Sequence, residues 1–89
     1  MSIERFMSER YQSWEKLKDI LSSVDRRGWQ ALEPSDLEEL GRLYRKASSD
    51  LAYARANYPD SREVLYLNGL VAAAHSRIYA GRAGSWRRL

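Results

Sequence analysis

Cysteine is absent from the 89 residues, so neither a disulfide nor a thiolate metal site can be built. The single histidine, His75, excludes a multi-histidine metal centre. Two prolines and five glycines are too few for a linker or a disordered chain. The longest unbroken apolar run, Leu70 to Ala74, falls far short of the ~20 residues a membrane-spanning helix needs. Glu4, Arg5, Glu9 and Arg10 interrupt any signal-peptide core at the start of the chain. No stretch alternates apolar and polar long enough to argue for a strand, and no repeat or low-complexity tract is present. What remains is room for one small domain with a limited core.

The charge is mild and unevenly placed. Fifteen basic and twelve acidic residues give +3. The last acid is Glu63, and from Ser76 onward four arginines stand without one. Most of the chain reads as a balanced, solvated surface with a basic end.

Period and punctuation predict three helices. The first should run from about Ile3 to Arg26, with Met7, Trp14, Leu17, Leu21 and Val24 on one stripe and Ile3, Phe6 and Ile20 widening it. Arg26, Arg27 and Gly28 form a stop of cations followed by a residue free to take positive φ. Residues 28–34 carry Trp29 and Leu32, too apolar for a free loop and suited to lidding the bundle. The second helix should open on a capping box of Ser35 and Glu38, then bury Leu37, Leu40, Tyr44, Ala47, Leu51 and Ala54 until Pro59 stops it near Asn57. The third should take Asp60 as N-cap, bury Val64, Leu67, Val71, Ala74 and Ile78, and end at Gly81 and Gly84. Three helices with short connections give an all-α, up-down-up antiparallel bundle over residues 1–81, followed by a basic tail, 82–89.

Little of this carries chemistry. His75 sits between Val71 and Ile78, where a core histidine satisfied by a tyrosine or backbone group is the expectation. Neighbouring acids such as Glu38 and Glu39 point apart on a helix. No nucleophile has a recognisable setting, and Gly81 and Gly84 follow no strand. No enzyme activity, cofactor or metal is expected. Six tyrosines and three tryptophans interleaved with arginine leave a stand-alone nucleic-acid-binding domain as the alternative reading.

Two strings resemble a known family. One is Leu43-Tyr44-Arg45, four residues, then Asp50-Leu51-Ala52-Tyr53-Ala54-Arg55. The other is Tyr66-Leu67-Asn68-Gly69-Leu70-Val71, followed by Ala74-His75 and Ile78-Tyr79. With Phe6 and Trp14-Glu15-Lys16-Leu17 they are similar to the N-terminal region of the stage II sporulation protein M family of bacterial and archaeal integral membrane proteins. The similarity covers residues 3–80. It implies a non-catalytic cytoplasmic helical domain at the membrane, ahead of several membrane helices. It also implies a scaffold role in cell-envelope remodelling. A protein partner or self-association is expected, since Ile3, Phe6, Ile20, Trp29, Leu43, Tyr53, Leu65, Tyr66 and Trp86 add more apolar surface than one bundle covers.

Antiparallel geometry also predicts a polar layer. Facing residues on the second and third helices should sum to about 119, and on the first and second to about 61. Arg10 occupies a stripe position where an apolar residue is expected, so it needs a partner. Arg10, Asp50 and Asn68 should form one hydrogen-bonded layer, with Tyr44 and His75 one layer away; the alternative is that Arg10 snorkels to solvent and Asp50 pairs with Lys46 four residues back. Arg82, Trp86, Arg87 and Arg88 read as a membrane approach, because arginine stays on the cytoplasmic side of a span and tryptophan prefers the headgroup region; in a free-standing domain the same segment is a frayed terminus.

Overall fold

The computed structural model describes residues 3–86, with side chains through Ala80. Helix α1 spans Ile3–Arg27, α2 Pro34–Asn57 and α3 Arg62–Trp86; a single 3-10 turn, Trp29–Ala31, lies between α1 and α2. Among the described residues there is no strand. All three helix pairs touch, and short connections make neighbours antiparallel, giving an all-α, up-down-up bundle of 47 × 20 × 19 Å.

The burial pattern follows the apolar spacing. Phe6, Trp14, Leu17, Leu21 and Val24 of α1 face Leu40, Leu43, Ala47, Leu51 and Ala54 of α2 and Leu67, Leu70 and Ala74 of α3. Ala47, Ala54 and Ala74 are each at most 1% exposed, so the helices approach closely where the largest ring, Trp14, takes up space elsewhere. Leu37, expected in the stripe, is 46% exposed. It stands in the first turn of α2, beyond the reach of the partner helices' apolar rows.

The helix boundaries differ from expectation in three places, each for a local reason. Helix α2 begins two residues earlier, with Glu33 as N-cap and Pro34 in the first turn. The Asp36 carboxylate accepts a hydrogen bond from the Glu33 backbone N–H at 3.1 Å. Proline already has helical φ and lacks the N–H that would go unpaired there, so it displaces the Ser35–Glu38 box. Helix α3 is capped by Ser61 instead of Asp60: the Ser61 hydroxyl accepts from the Val64 N–H at 3.3 Å and donates to the Tyr58 carbonyl at 2.7 Å. Replacing Ser61 by Ala should therefore lower stability by about 1 kcal/mol, while Asp60→Ala should be close to neutral; thermal melts of the two variants check this. At the far end α3 continues through Gly81 and Gly84 to Trp86, so the expected boundary at 81/82 falls inside a continuous helix. A glycine costs a helix only about 1 kcal/mol relative to alanine, and Ala80 and Ala83 flank these two.

Gly28 is the one residue of positive φ among those described, at 84°. Its N–H closes the last turn of α1 on the Val24 carbonyl at 2.9 Å. The 3-10 turn that follows brings Trp29 against the core, as its apolar character requires.

Candidate functional site

Among the described residues Asp50 is the buried charged one, 6% exposed among the apolar rows of α1 and α2. Its two oxygens meet two donors from α1. Arg10 Nε donates to Oδ1 at 3.0 Å and Trp14 Nε1 donates to Oδ2 at 2.8 Å. Arg10 and Trp14 are four residues apart, so one helical turn presents both donors to one carboxylate. The Arg10 guanidinium also covers the Phe6 ring, 4.5 Å from its centroid, and lies 5.9 Å from that of Tyr53. Phe6 in turn stacks on Tyr53 at 5.1 Å. A carboxylate, a guanidinium and three rings thus close the end of the bundle where α1 begins and α2 ends.

Asn68 does not join this layer. Its Oδ1 accepts from Arg55 Nη2 at 2.9 Å on the exposed side of α2 and α3. Level and face are separate conditions: Asp50 turns toward α1, whereas Asn68 turns outward from α3. Trp14 takes the place expected for Asn68. Tyr44 and His75 do meet, with ring centroids 6.4 Å apart, and Tyr79 stacks on His75 at 6.0 Å. His75 is exposed, not a core histidine. Ala74 occupies the centre of the buried row, which puts His75 a further 100° round the helix, past the half-buried Val71. Arg82 and Trp86 stand within α3, their side chains outside those described, and Arg87 and Arg88 lie outside the described residues.

Ion pairs link the helices at the opposite end. Arg77 of α3 grips Asp25 of α1 through two bonds, at 2.9 and 3.1 Å. The Arg77 guanidinium holds the Asp25 carboxyl below its usual range. Glu39 of α2 receives Arg42 and, at 3.2 Å, Lys16 of α1. These two cations, Arg42 first, draw its pKa down from 4.5 to about 2. A depressed folded value means that the stabilisation is complete above the unfolded value and is lost as pH falls through about 2. Glu39→Gln should therefore flatten the acid limb of the stability curve between pH 5 and 2, by an amount that shrinks in high salt because the pair is solvated. Thermal melts across that pH range, at low and high salt, read this directly.

Sequence reasoning missed one further feature. A groove of about 210 Å³ opens between α1 and α3, lined by Met7, Tyr11, Trp14, Arg62, Glu63 and Tyr66. A hydrogen bond to the Glu15 carboxylate raises the pKa of Tyr11, and burial raises that of Tyr66. Tyr11 and Tyr66 flank the stripes at helical spacing, a signal present in the sequence but weaker than the leucines beside it.

The arrangement organises polar groups for packing. Both Asp50 oxygens are engaged, and the His75 ring lies against two tyrosine rings. Among the described residues no group of three or more His, Asp or Glu could hold a metal ion, and no helix is long and apolar enough to cross a membrane. Fold and site together define a small three-helix bundle domain with an internal Asp–Arg–Trp bond network. The chain belongs to the family described as Domain of unknown function (DUF8413), whose model matches residues 4–80. No curated protein and no solved structure matches it.

Proposed function

We propose that this domain is a non-catalytic cytoplasmic module of a multi-pass bacterial or archaeal membrane protein, serving protein–protein contact or scaffolding on the inner face of the membrane. Its resemblance to the stage II sporulation protein M family supports the membrane setting and the link to envelope remodelling. The two strings that carry the resemblance supply Leu43, Leu51, Ala54, Leu67, Leu70 and Ala74 of the core, together with Asp50. They therefore encode a shape.

The observation that carries the contact role is the set of large apolar side chains on the surface: Tyr11, Leu37, Tyr53, Leu65, Tyr66 and Tyr79. Of the residues expected to supply excess apolar surface, Phe6 and Leu43 are instead buried, and Ile20 and Trp29 pack against the core. The exposed set is smaller than expected and richer in tyrosine, a residue suited to interfaces that are apolar yet wet. The test is the fate of the full-length gene product carrying an N-terminal tag. It should fractionate with membranes, and the tag should resist protease added to intact cells. A tag cleaved from outside, or a product wholly in the soluble fraction, overturns the reading.

A further inference from the structure

Acids are unevenly distributed over the surface of the bundle. Between Glu39 and Asp60 the one acid is Asp50, which is buried against α1, and beyond Glu63 there is none. Of the three ion pairs that tie α1 to its neighbours among the described residues, two use acids at α1 and at the start of α2, and the third uses the buried Asp50. The outward quadrant shared by α2 and α3 is therefore poor in negative charge: on α2 the exposed Glu38, beside Leu37 and two turns ahead of Arg45 on the same side, is its acid among the described residues. It carries Arg45 and Arg55, both exposed, and the exposed imidazole of His75. The same quadrant holds three of the exposed apolar groups: Leu37 at 46%, Leu65 at 75% and Tyr79 at 68%.

The helical register puts these on one side. Leu65 and Tyr79 are fourteen residues apart, close to four turns, so both project from the same face of α3, about 21 Å apart. Ala72 lies midway between them and is also exposed. The Arg55–Asn68 bond and the Tyr44–His75 contact join that face to the adjoining face of α2. A Cβ added at Gly69 would meet nothing within 4 Å, so no part of the bundle leans on this side.

We infer that the α2–α3 face lies against an anionic lipid surface. This deepens the membrane reading above and rests on it. A lipid headgroup layer offers what the face has little of: negative charge for Arg45 and Arg55, and a partly apolar medium for Leu65, Leu37 and Tyr79. Tyrosine favours that boundary because its ring enters the apolar region while its hydroxyl stays hydrated. A nucleic acid fits less well. Its tight binders neutralise many phosphates, and here two arginines stand beside aliphatic groups that a phosphate backbone would leave in water.

The experiment uses the 89-residue chain and vesicles of phosphatidylcholine alone or with phosphatidylglycerol, read by co-sedimentation. Binding should require the anionic lipid. Arg45→Gln with Arg55→Gln should weaken it roughly 30-fold, about fivefold for each cation. Leu65→Ser should weaken it roughly tenfold through lost apolar contact, without unfolding a bundle in which Leu65 is so exposed. Lys18→Gln with Lys46→Gln removes the same charge from other sides of the molecule and should change binding by no more than about twofold on this placement. Equal losses from the two charge pairs would overturn the assignment of this face. Binding abolished by serine at Arg82, Arg87 and Arg88 but indifferent to Arg45, Arg55 and Leu65 would also overturn it, while leaving the membrane reading intact. No vesicle binding, or loss in the Arg45 and Arg55 variant of tight binding to a single-stranded oligonucleotide alone, would overturn it as well. Failure of the full-length protein to fractionate with membranes would remove the reading on which the inference stands.

Discussion

Replacing Asp50 by Ala should lower the unfolding free energy by about 3–5 kcal/mol, the largest loss expected from any single polar substitution here. The reason is what the change leaves behind. Trp14 is 1% exposed, and its Nε1–H has Asp50 Oδ2 as its partner at 2.8 Å. Truncating the carboxylate strands that donor in an apolar setting with no water to replace it. Arg10 is better placed to escape, because its side chain keeps 26% of its exposure and can swing toward solvent. Arg10→Ala should therefore cost less than Asp50→Ala, although the carboxylate it leaves still has Trp14. Trp14→Phe removes one donor from a carboxylate that keeps the other, so a loss of about 1–3 kcal/mol is expected. Urea unfolding of these variants, with the slope of the transition unchanged, gives the ranking Asp50→Ala first and Arg10→Ala last. An Asp50→Ala protein within about 1 kcal/mol of the parent would mean that water reaches the Trp14 nitrogen and that the layer is not sealed.

This layer also shows which parts of the structure could be read from sequence. A charge on an apolar stripe requires a partner, and antiparallel counting from the turns finds Asp50 for Arg10 with no structure in hand. The same counting paired Asp50 with Asn68 because it knows only height along the bundle. It carries no information about which way each helix is rotated, and that rotation sends Asn68 outward to Arg55 and puts Trp14 on the second carboxylate oxygen. His75 differs for a related reason: a place between Val71 and Ile78 puts it at the edge of the stripe, and 100° from the buried Ala74 is enough to expose it. The heptad rows themselves were legible because one apolar residue more or less hardly moves their mean direction. Helix ends were not, because each is decided by one or two local bonds. Pro34 outcompeted Ser35, Ser61 outcompeted Asp60, and Gly81 was too weak a breaker to stop a helix flanked by alanines.

Phe6→Ala is the second large effect, about 3–5 kcal/mol by the usual cost of deleting a buried aromatic ring. Phe6 is 0% exposed although it stands in the first turn of α1, where helices commonly fray. It is held there by rings: Tyr53 at 5.1 Å, Trp14 at 5.9 Å and Tyr58 at 6.0 Å, with the Arg10 guanidinium across its face. All four of these partners come with a polar end, so the cluster joins the apolar core to the hydrated rim, with no buried side-chain polar atom unpaired among the described residues. Deleting the ring removes the platform on which Arg10 rests before it reaches Asp50. The Phe6→Ala and Asp50→Ala losses should consequently fall short of additivity, by roughly 0.5–3 kcal/mol in a double-mutant cycle, because each already loosens Arg10. Phe6→Leu should recover much of the stability, since it restores volume without the ring. The space left in Phe6→Ala is bounded by rings and aliphatic groups, so it should stay dry and take up xenon under pressure, with partial recovery of the thermal midpoint. A Phe6→Ala protein that unfolds within about 1 kcal/mol of the parent would show that the first two turns of α1 already part from the bundle in solution. Arg10 would then hold Asp50 from a helix anchored only at Trp14, and the Asp50→Ala loss would be carried by the Trp14 bond alone.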